Sequence, residues 1–302
     1  MFKSINAIEF NRRFMDNESC YQYLMNRKWG KGFSCSFCGC QESIKGRTYY
    51  YRRCKSCRYD ESVTANTVFH GMKMPILKAF HIVFRITAKK KGMSTMELGH
   101  EVGVQQKTAW LFKRKMQVAM KPDASSKLEG NVDVDETLLG FHTGRKDGGR
   151  SLENREAVFI AAEILEDGRT GNLGMQHIEN FKADTLECAL KDLTSEMASI
   201  RSDNYCSYRT IQRDLSNLKM ESSQNGKSFE ELHRQIMLFK NWLVGIHHKW
   251  SKQHLHAYCD EYVFRFNRRN IRKSIFNSVI NKMMQQIPHP YPVIKTLCEY
   301  ST

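Results

Sequence analysis

The chain has 302 residues, 41% of them hydrophobic, which is enough for one large core or for two or three smaller domains and excludes a wholly disordered chain. Lysine and arginine number 47 against 32 acidic residues, so the net charge is +15 and indicates a polyanionic partner, with nucleic acid favoured over a membrane surface. No apolar run approaches the roughly 18 residues of a spanning helix, and the first residues lack the apolar region of a secretion signal, so we expect a cytoplasmic protein whose ten cysteines are reduced.

Two CxxC pairs stand near the N-terminus, after a lead-in of about 32 residues with helical character. A short polar and aromatic stretch with the character of a hairpin separates them. Each tight CxxC turn presents two thiolates, and a hairpin brings the pairs together, as tetrahedral zinc requires. The sequence therefore predicts a structural zinc ribbon held by Cys35, Cys38, Cys54 and Cys57, with incidental thiols or a redox CxxC as the alternatives. The basic and aromatic residues around the second pair either contact nucleic acid or only solvate a small domain.

After Pro75 the sequence predicts a core helix over 76–87, ended by a lysine run and Gly92, and then two helices joined by a tight turn. Ser94 and Glu97 have the spacing of a capping box, and Gly103 marks the turn before a longer helix from Gln105 to about Met120. This pattern predicts a helix-turn-helix whose second helix reads DNA, and an ordinary helical hairpin is the alternative. The side chains expected to contact bases or phosphates are Gln105, Gln106, Lys107, Lys113 and Arg114.

An acidic strand is predicted over 131–140. Alternation places Val132 and Val134 on one face and Asp133 and Asp135 on the other. Two carboxylates on one face of a central strand are costly to desolvate unless a divalent cation neutralises them. The alternative is an edge strand whose acids are solvated.

The order of the elements that follow predicts the fold of the remaining chain. Two strands come after the acidic strand, then a helix from about Asp184 to Met197, then a short strand that ends in Asp203, then helices over 229–243 and 251–270. This is the order of an α/β RNase H-like, integrase-type domain. We expect three domains: a zinc ribbon with its lead-in helix (1–70), a helix-turn-helix region (71–127) and the RNase H-like domain (128–302).

Asp135 and Asp203 fall on strands that are central neighbours in such a fold, so we expect them to share divalent ions, Mg²⁺ or Mn²⁺, for phosphodiester chemistry. Asp133 is the substitute ligand if the choice along the strand is wrong by one pleat. The polar loop 141–154 carries Arg145, Lys146 and Arg150, which either contact phosphate or lie in a surface loop.

The last predicted helix carries arginines at i, i+3, i+4 and i+7. These are Arg265, Arg268, Arg269 and Arg272. They suit a nucleic-acid backbone, and a solvated helix face is the alternative. For His247, His248 and His254 we expect phosphate-binding or structural roles, since no acids stand at ligand spacing.

The chain resembles insertion-sequence transposases of the zinc-ribbon, DDE-like group, in the variant with Asp, Asp, Asn and Lys. The resemblance rests on the CxxC pairs, Lys91-Gly92-Met93-Ser94, Lys107-Thr108-Ala109-Trp110, Val134-Asp135-Glu136-Thr137 with Gly140, Ser202-Asp203 with Tyr208, Leu232-His233 through Lys240, Gly245-Ile246-His247-His248, and the block from Asp260-Glu261-Tyr262 to Arg265-Phe266-Asn267-Arg268-Arg269. It implies DNA cleavage and strand transfer at terminal inverted repeats, with Asp135 and Asp203 as the first two catalytic acids and Lys240 in the active site. Where the family often has Asn, two residues before the Lys, this chain has Leu238.

We therefore expect a DNA transposase that acts on double-stranded terminal repeats and target DNA, associates with the nucleoid when bound, and works at least as a dimer because two ends must be paired. Leu238 predicts weak or absent transposition. The alternatives are a decayed or repurposed DNA-binding protein without catalysis, and a nuclease of the same fold that hydrolyses DNA without joining ends.

Overall fold

The computed structural model describes residues 1–123, 126–140, 152, 155–247 and 250–294. The chain forms two compact units. The first contains Met1–Met120 together with Ile271–Thr296, and the second contains Lys121–Asn270. The predicted loop 141–154, with Arg145, Lys146 and Arg150, lies outside the described residues except for Leu152, and so does His248.

The first unit begins with two capped helices and the ribbon. Helix α1 is Ala7–Arg13, with Asn6 as its N-cap, and α2 is Asn17–Lys28, opened by a capping box between Asp16 and Ser19. An antiparallel three-stranded sheet follows, with its strands in sequence order: β1 (Ser43–Lys45), β2 (Tyr51–Cys54) and β3 (Asp60–Ser62).

Three helices complete this part of the chain: α3 (Ile76–Ala88), α4 (Thr95–Val102) and α5 (Gln106–Met120). Ser94 caps α4, because its hydroxyl accepts the N–H of Glu97 at 3.2 Å. The carboxylate of Glu97 pairs with Lys89 at 2.6 Å. Gly103 ends α4 with φ of 66°, a conformation in which glycine has no Cβ to clash, so the chain can reverse directly into α5. The predicted helix, tight turn and helix are therefore present.

The second unit is built on a five-stranded sheet. Its strands are β4 (Asn131–Gly140), β5 (Arg155–Ile164), β6 (Thr170–Ile178), β7 (Ser199–Ser202) and β8 (Leu218–Met220). Their spatial order is β6-β5-β4-β7-β8, with antiparallel pairing among the first three and parallel pairing of β7 with β4 and of β8 with β7. The predicted RNase H-like α/β arrangement is confirmed, and β8 is a fifth strand that the sequence did not indicate.

Four α-helices pack on the two faces of this sheet: α6 (Ala183–Leu193), α7 (Cys206–Asp214), α8 (Glu230–Ile246) and α9 (Leu255–Phe266). Val132 and Val134 belong to one core with α6 and α7, while Leu139 belongs to the other core with α8 and α9. Because side chains alternate along β4, Asp133 and Asp135 share the face that α8 and α9 cover.

The C-terminal helix α10 (Ile275–Gln285) belongs to the first unit. Phe276 on α10 is buried among five aromatic rings, with centroid distances of 5.5 to 6.2 Å. They are those of Phe2, Phe10, Phe14, Tyr23 and Phe80. The compact units thus differ from the predicted division, in which 128–302 formed one domain.

Candidate functional site

The four predicted cysteine ligands lie together in the ribbon. The Sγ atoms of Cys35 and Cys57 are 3.6 Å apart and those of Cys38 and Cys54 are 3.5 Å apart, and all four lie within 4.8 Å of one another. Four thiolates about 2.3 Å from a tetrahedral zinc ion have sulfur–sulfur distances of about 3.8 Å, so the residues present fit this metal.

The thiol acidities show why such a cluster needs a cation. Burial acts to raise the pKa of Cys54, but backbone N–H donors of Cys57 and Ser56 and the Cys38 thiol lower it to about 6. A backbone hydrogen bond from Tyr59 acts to lower the pKa of Cys57, yet burial and the neighbouring thiols raise it to about 12. One thiolate forms readily and then opposes the next, whereas Zn²⁺ favours all of them in the ionised form.

A buried ion pair joins the ribbon to α2. The carboxylate of Glu61 lies 2.7 Å from the Lys28 ammonium and also accepts the N–H and hydroxyl of Ser36, next to the first zinc ligand. Burial lowers the pKa of Lys28, and the contact with Glu61 opposes this shift. Glu61 thereby orients the first CxxC turn, a role that its sequence position did not indicate.

The helix-turn-helix exposes only part of its predicted DNA-reading surface. Gln105, Gln106 and Lys107 are exposed at the start of α5. Lys113 and Arg114 are only 2% and 6% exposed, so their predicted exposure is wrong. Lys113 donates to the backbone oxygen of Met93 at 3.0 Å, and Arg114 donates to Gln117 at 2.9 Å. The expected contact surface is therefore the N-terminal turn of α5.

Asp135 and Asp203 follow the paired residues of two parallel strands, β4 and β7, by the same number of positions. Asp133 on β4 pairs with Arg201 on β7, and Asp135 and Asp203 each follow two residues later, with Asp203 one residue past the end of β7. Neighbouring strands lie about 4.8 Å apart, so we expect the two carboxylates to lie near each other at the carboxyl end of β7.

Hydrogen bonds hold both carboxylates. Asp135 Oδ1 accepts the N–H of Glu136 at 2.8 Å, and Asp203 Oδ1 accepts the N–H of Tyr205 at 3.1 Å. Asp135 Oδ2 lies 3.2 Å from Nε2 of His233 on α8. Carboxylate oxygens are the donors that hard divalent cations prefer, so each of these two side chains suits Mg²⁺ or Mn²⁺ as a ligand.

Asp133, the reserve ligand, has another partner. Its two oxygens accept from Arg201 at 2.8 and 2.9 Å. Burial raises the pKa of Asp133, and Arg201 opposes this shift. The carboxylate therefore forms a bidentate ion pair that fixes β4 against β7, and Asp135 stays the better candidate ligand.

Two α8 positions differ in what they face. Lys240 is partly buried; its burial lowers its pKa, while the charge of Asp135 acts to raise it, so the ammonium interacts with that carboxylate. Leu238 is 43% exposed, and because helical residues follow one another by about 100°, it lies about 160° around α8 from Lys240. Leu238 thus lies on the opposite side of α8 from Lys240, and its role as the family's third site position stays a prediction.

Tyr208 on α7 supports the acidic strand from the other face of the sheet. Its fully buried hydroxyl donates to the carboxylate of Glu136. Burial, followed by the charges of Glu136, Asp135 and Asp203, holds the pKa of Tyr208 well above its usual range. Tyr208 therefore stays a neutral donor beside the acids, and only the family resemblance pointed to it.

The four arginines of the predicted stripe do not share one helix. Helix α9 ends at Phe266, so Arg265 lies in its last turn, while the others fall in or beside a 3₁₀ segment, Arg269–Ser274. Arg268 stacks on Phe264 at 3.9 Å, and burial lowers its pKa. Arg272, in the first unit, donates to the backbone oxygen of Ala88 at 3.0 Å. The prediction that these four arginines form one continuous stripe on a single helix is therefore wrong, and DNA contact by these residues stays a prediction.

Arg269 lines a cavity in the second unit. It stacks on Phe266 at 4.1 Å and donates to the backbone oxygen of Thr170 at 2.6 Å. The cavity, of about 270 Å³, is also lined by Arg169 and Arg234. These two guanidinium groups pair with the carboxylates of Asp167 and Glu231.

His247 packs against Tyr258 with a ring-centroid distance of 4.2 Å, which fits the structural role expected for it. Within the described ranges, the four cysteines form the only group of three or more His, Cys, Asp or Glu side chains close enough to share an ion. No helix among the described residues is long and apolar enough to cross a membrane.

Comparison with known families gives two matches. Residues 15–60 match a transposase zinc-ribbon domain, and residues 127–267 match an ISXO2-like transposase domain. A comparison with proteins of curated function gives no match. The first range contains the four clustered cysteines, and the second contains Asp135, Asp203, His233 and Lys240.

Proposed function

We propose that this chain, which belongs to the ISXO2-like transposases with an N-terminal zinc ribbon, cleaves DNA at the ends of an insertion element and joins those ends to target DNA. Cleavage and joining are both displacements at phosphorus, so one acidic site that activates an oxygen nucleophile serves both steps. The observation that supports this proposal is the parallel pairing of β4 with β7, because Asp135 and Asp203 each follow two residues after the paired Asp133 and Arg201.

The two aspartates would hold Mg²⁺ or Mn²⁺. When bound, such ions supply Lewis-acid stabilisation of the attacking and leaving oxygens. The hydrogen bonds from the N–H groups of Glu136 and Tyr205 fix the two carboxylates, so little reorganisation accompanies binding. The Lys240 ammonium, whose charge interacts with that of Asp135, is placed to attract a phosphate of the DNA strand.

DNA recognition falls to the first unit in this proposal. The ribbon and the exposed start of α5, with Gln105, Gln106 and Lys107, supply end recognition, since amide side chains read base edges and lysine contacts phosphate. The surplus of positive charge supports a duplex partner. Pairing two element ends requires at least two copies of the chain on DNA.

A cleavage assay tests the catalytic part. Labelled duplexes that contain the element's terminal repeats are incubated with the wild-type chain, Asp135→Asn, Asp203→Asn and the control Asp184→Asn, which changes an exposed acid on α6. We expect Mg²⁺-dependent strand cleavage by wild type and control, and a loss of about 100-fold or more in both site variants, with DNA binding retained.

Retained cleavage in either site variant would overturn the metal site. A wild-type chain that binds the repeats and cleaves in neither Mg²⁺ nor Mn²⁺ would support the alternative of a DNA-binding protein without catalysis.

A further inference from the structure

Three arginines from separate elements line the cavity of the second unit. Arg169 lies in the turn between β5 and β6, Arg234 lies on α8, and Arg269 follows the end of α9. The cavity of about 270 Å³ has room for a phosphate group, since one water molecule needs only about 15 Å³ of such space. Resting on the function proposed above, we infer that this cavity holds one backbone phosphate of the DNA substrate.

The lining of the cavity suits an anion. None of the described residues that line it is acidic, and besides the arginines they are Leu165, Thr170, Gln235, Phe266 and Asn270. The planar guanidinium group binds two phosphate oxygens at once through parallel N–H donors, so arginines at a cavity wall favour phosphate over a simple halide ion.

Arg269 is the arginine whose charge is least compensated. It has no carboxylate within ion-pair distance among the described residues. Its hydrogen bonds to the backbone oxygens of Phe266 and Thr170, at 3.1 and 2.6 Å, use two of its five N–H donors and fix the group in place. Burial and then the charge of Arg169 lower the pKa of Arg269, and Glu163 opposes this shift. An anion between the two guanidinium groups would offset their repulsion.

The other two arginines are held only by exposed ion pairs. The side chain of Arg169 is 78% exposed and pairs with Asp167, and that of Arg234 is 52% exposed and pairs with Glu231. Exposed ion pairs contribute little free energy, so a phosphate can compete with these carboxylates for the guanidinium groups.

The cavity lies beside the beginning of the acidic strand. Thr170 pairs with Ile164 of β5, and Ile164 pairs with Asn131, the first residue of β4. Asp135 is four residues further along β4, which is about 13 Å at the usual rise of a strand. A phosphate in the cavity is therefore not the one attacked beside Asp135, and binding it would fix how the DNA strand is placed relative to the acids.

The test uses the full-length chain with zinc in its ribbon and a labelled terminal-repeat duplex. One phosphate at a time is replaced by an uncharged methylphosphonate, and binding is measured over a range of salt concentrations. The variants are Arg169→Gln and Arg234→Gln, which change exposed side chains. The matched control is Arg213→Gln, which removes an exposed arginine of the same unit on α7, on the other face of the sheet.

With the unmodified duplex, each cavity variant should bind about tenfold more weakly than wild type, and its slope of log affinity against log salt should be smaller by about 1, as expected for one lost phosphate contact. Arg213→Gln should behave as wild type. One methylphosphonate should weaken binding by wild type and control, and should have a several-fold smaller effect in the cavity variants, because the interaction it removes is already partly lost. Its position shows whether the bound phosphate is internal or at a 5′ end.

Cavity variants that bind as the Arg213 control does, or methylphosphonates that each have the same effect in these variants as in wild type, would overturn the phosphate site. Cleavage of the duplex in Mg²⁺ or Mn²⁺ is followed in the same samples, so that the proposed function is judged separately. Retained cleavage without the coupling would overturn the cavity site alone, whereas coupling in a wild-type chain that does not cleave would support the cavity site and overturn the proposed catalysis. A wild-type chain that binds no terminal-repeat duplex would overturn both.

Discussion

Replacing Phe276 with Ala should strongly destabilise the first unit, although this residue lies near the other end of the chain from the ribbon. Its side chain is 2% exposed and contacts five aromatic rings from the N-terminal region and α3. Truncating a buried Phe to Ala costs about 3 to 5 kcal/mol, from lost transfer free energy and from the cavity left behind. A unit of this size has a total stability of about 5 to 15 kcal/mol, so roughly a fifth or more of it would be lost.

Thermal unfolding followed by near-ultraviolet circular dichroism measures the effect. A loss of this size corresponds to a fall in Tm of about 10 °C. The matched control is Ile287→Ala, in the segment just after α10, where the side chain is 67% exposed and the expected change is within about 0.5 kcal/mol. Equal Tm values for the two variants would refute the packing of α10 into the first unit.

Three further predictions follow from the described contacts. Cys54→Ser, or removal of zinc by a chelator, should unfold the ribbon, because the zinc ion is what links the four thiolates. Metal analysis and limited proteolysis check this, and a folded metal-free ribbon would contradict it. Leu238→Asn should change excision activity by less than about twofold, because this position lies on the opposite side of α8 from Lys240, and a clear gain of activity would show that it faces the site. Gln106 is exposed, so Gln106→Ala should reduce the preference for terminal-repeat DNA over random duplex, as measured by competition binding. Arg114 is buried, so Arg114→Ala should instead lower Tm, as measured by a melting curve.

Elements that are specified by residues close together in the chain could be predicted from the sequence. The alternation around Val132 and Val134 predicted β4, and the spacing of the CxxC pairs predicted the cysteine cluster. The position of Gly103 predicted the turn between α4 and α5. Each of these signals depends on residues that are neighbours in the chain, so no distant contact was needed to interpret it.

Features that depend on contacts between residues far apart in the chain could not be predicted from the sequence. Lys113 and Arg114 were expected on the surface because charged side chains are usually exposed, but backbone and amide acceptors compensate their burial in this unit. Phe276 gave no local sign that its partners lie at the N-terminus.

The third site position shows the same limit within the candidate site. The family's spacing indicates Leu238, whereas the contact with Asp135 is made five residues earlier, by His233. Which face of α8 meets the sheet is set by the packing of residues such as Leu232, Ile236 and Phe239 against β5.

The central claim is that Asp135 and Asp203 form one metal site that joins DNA strands, and a strand-transfer assay tests it most directly. A pre-cut terminal-repeat end with a free 3′-hydroxyl is incubated with a target plasmid and the wild-type chain, Asp135→Asn or Asp203→Asn. The account predicts joined products with the wild-type chain in Mg²⁺ or Mn²⁺ and none with either variant, while all three bind the end equally. Joined products from either variant, or from the wild-type chain in the presence of a chelator, would contradict it, and a wild-type chain that hydrolyses the end without joining it would identify a nuclease instead.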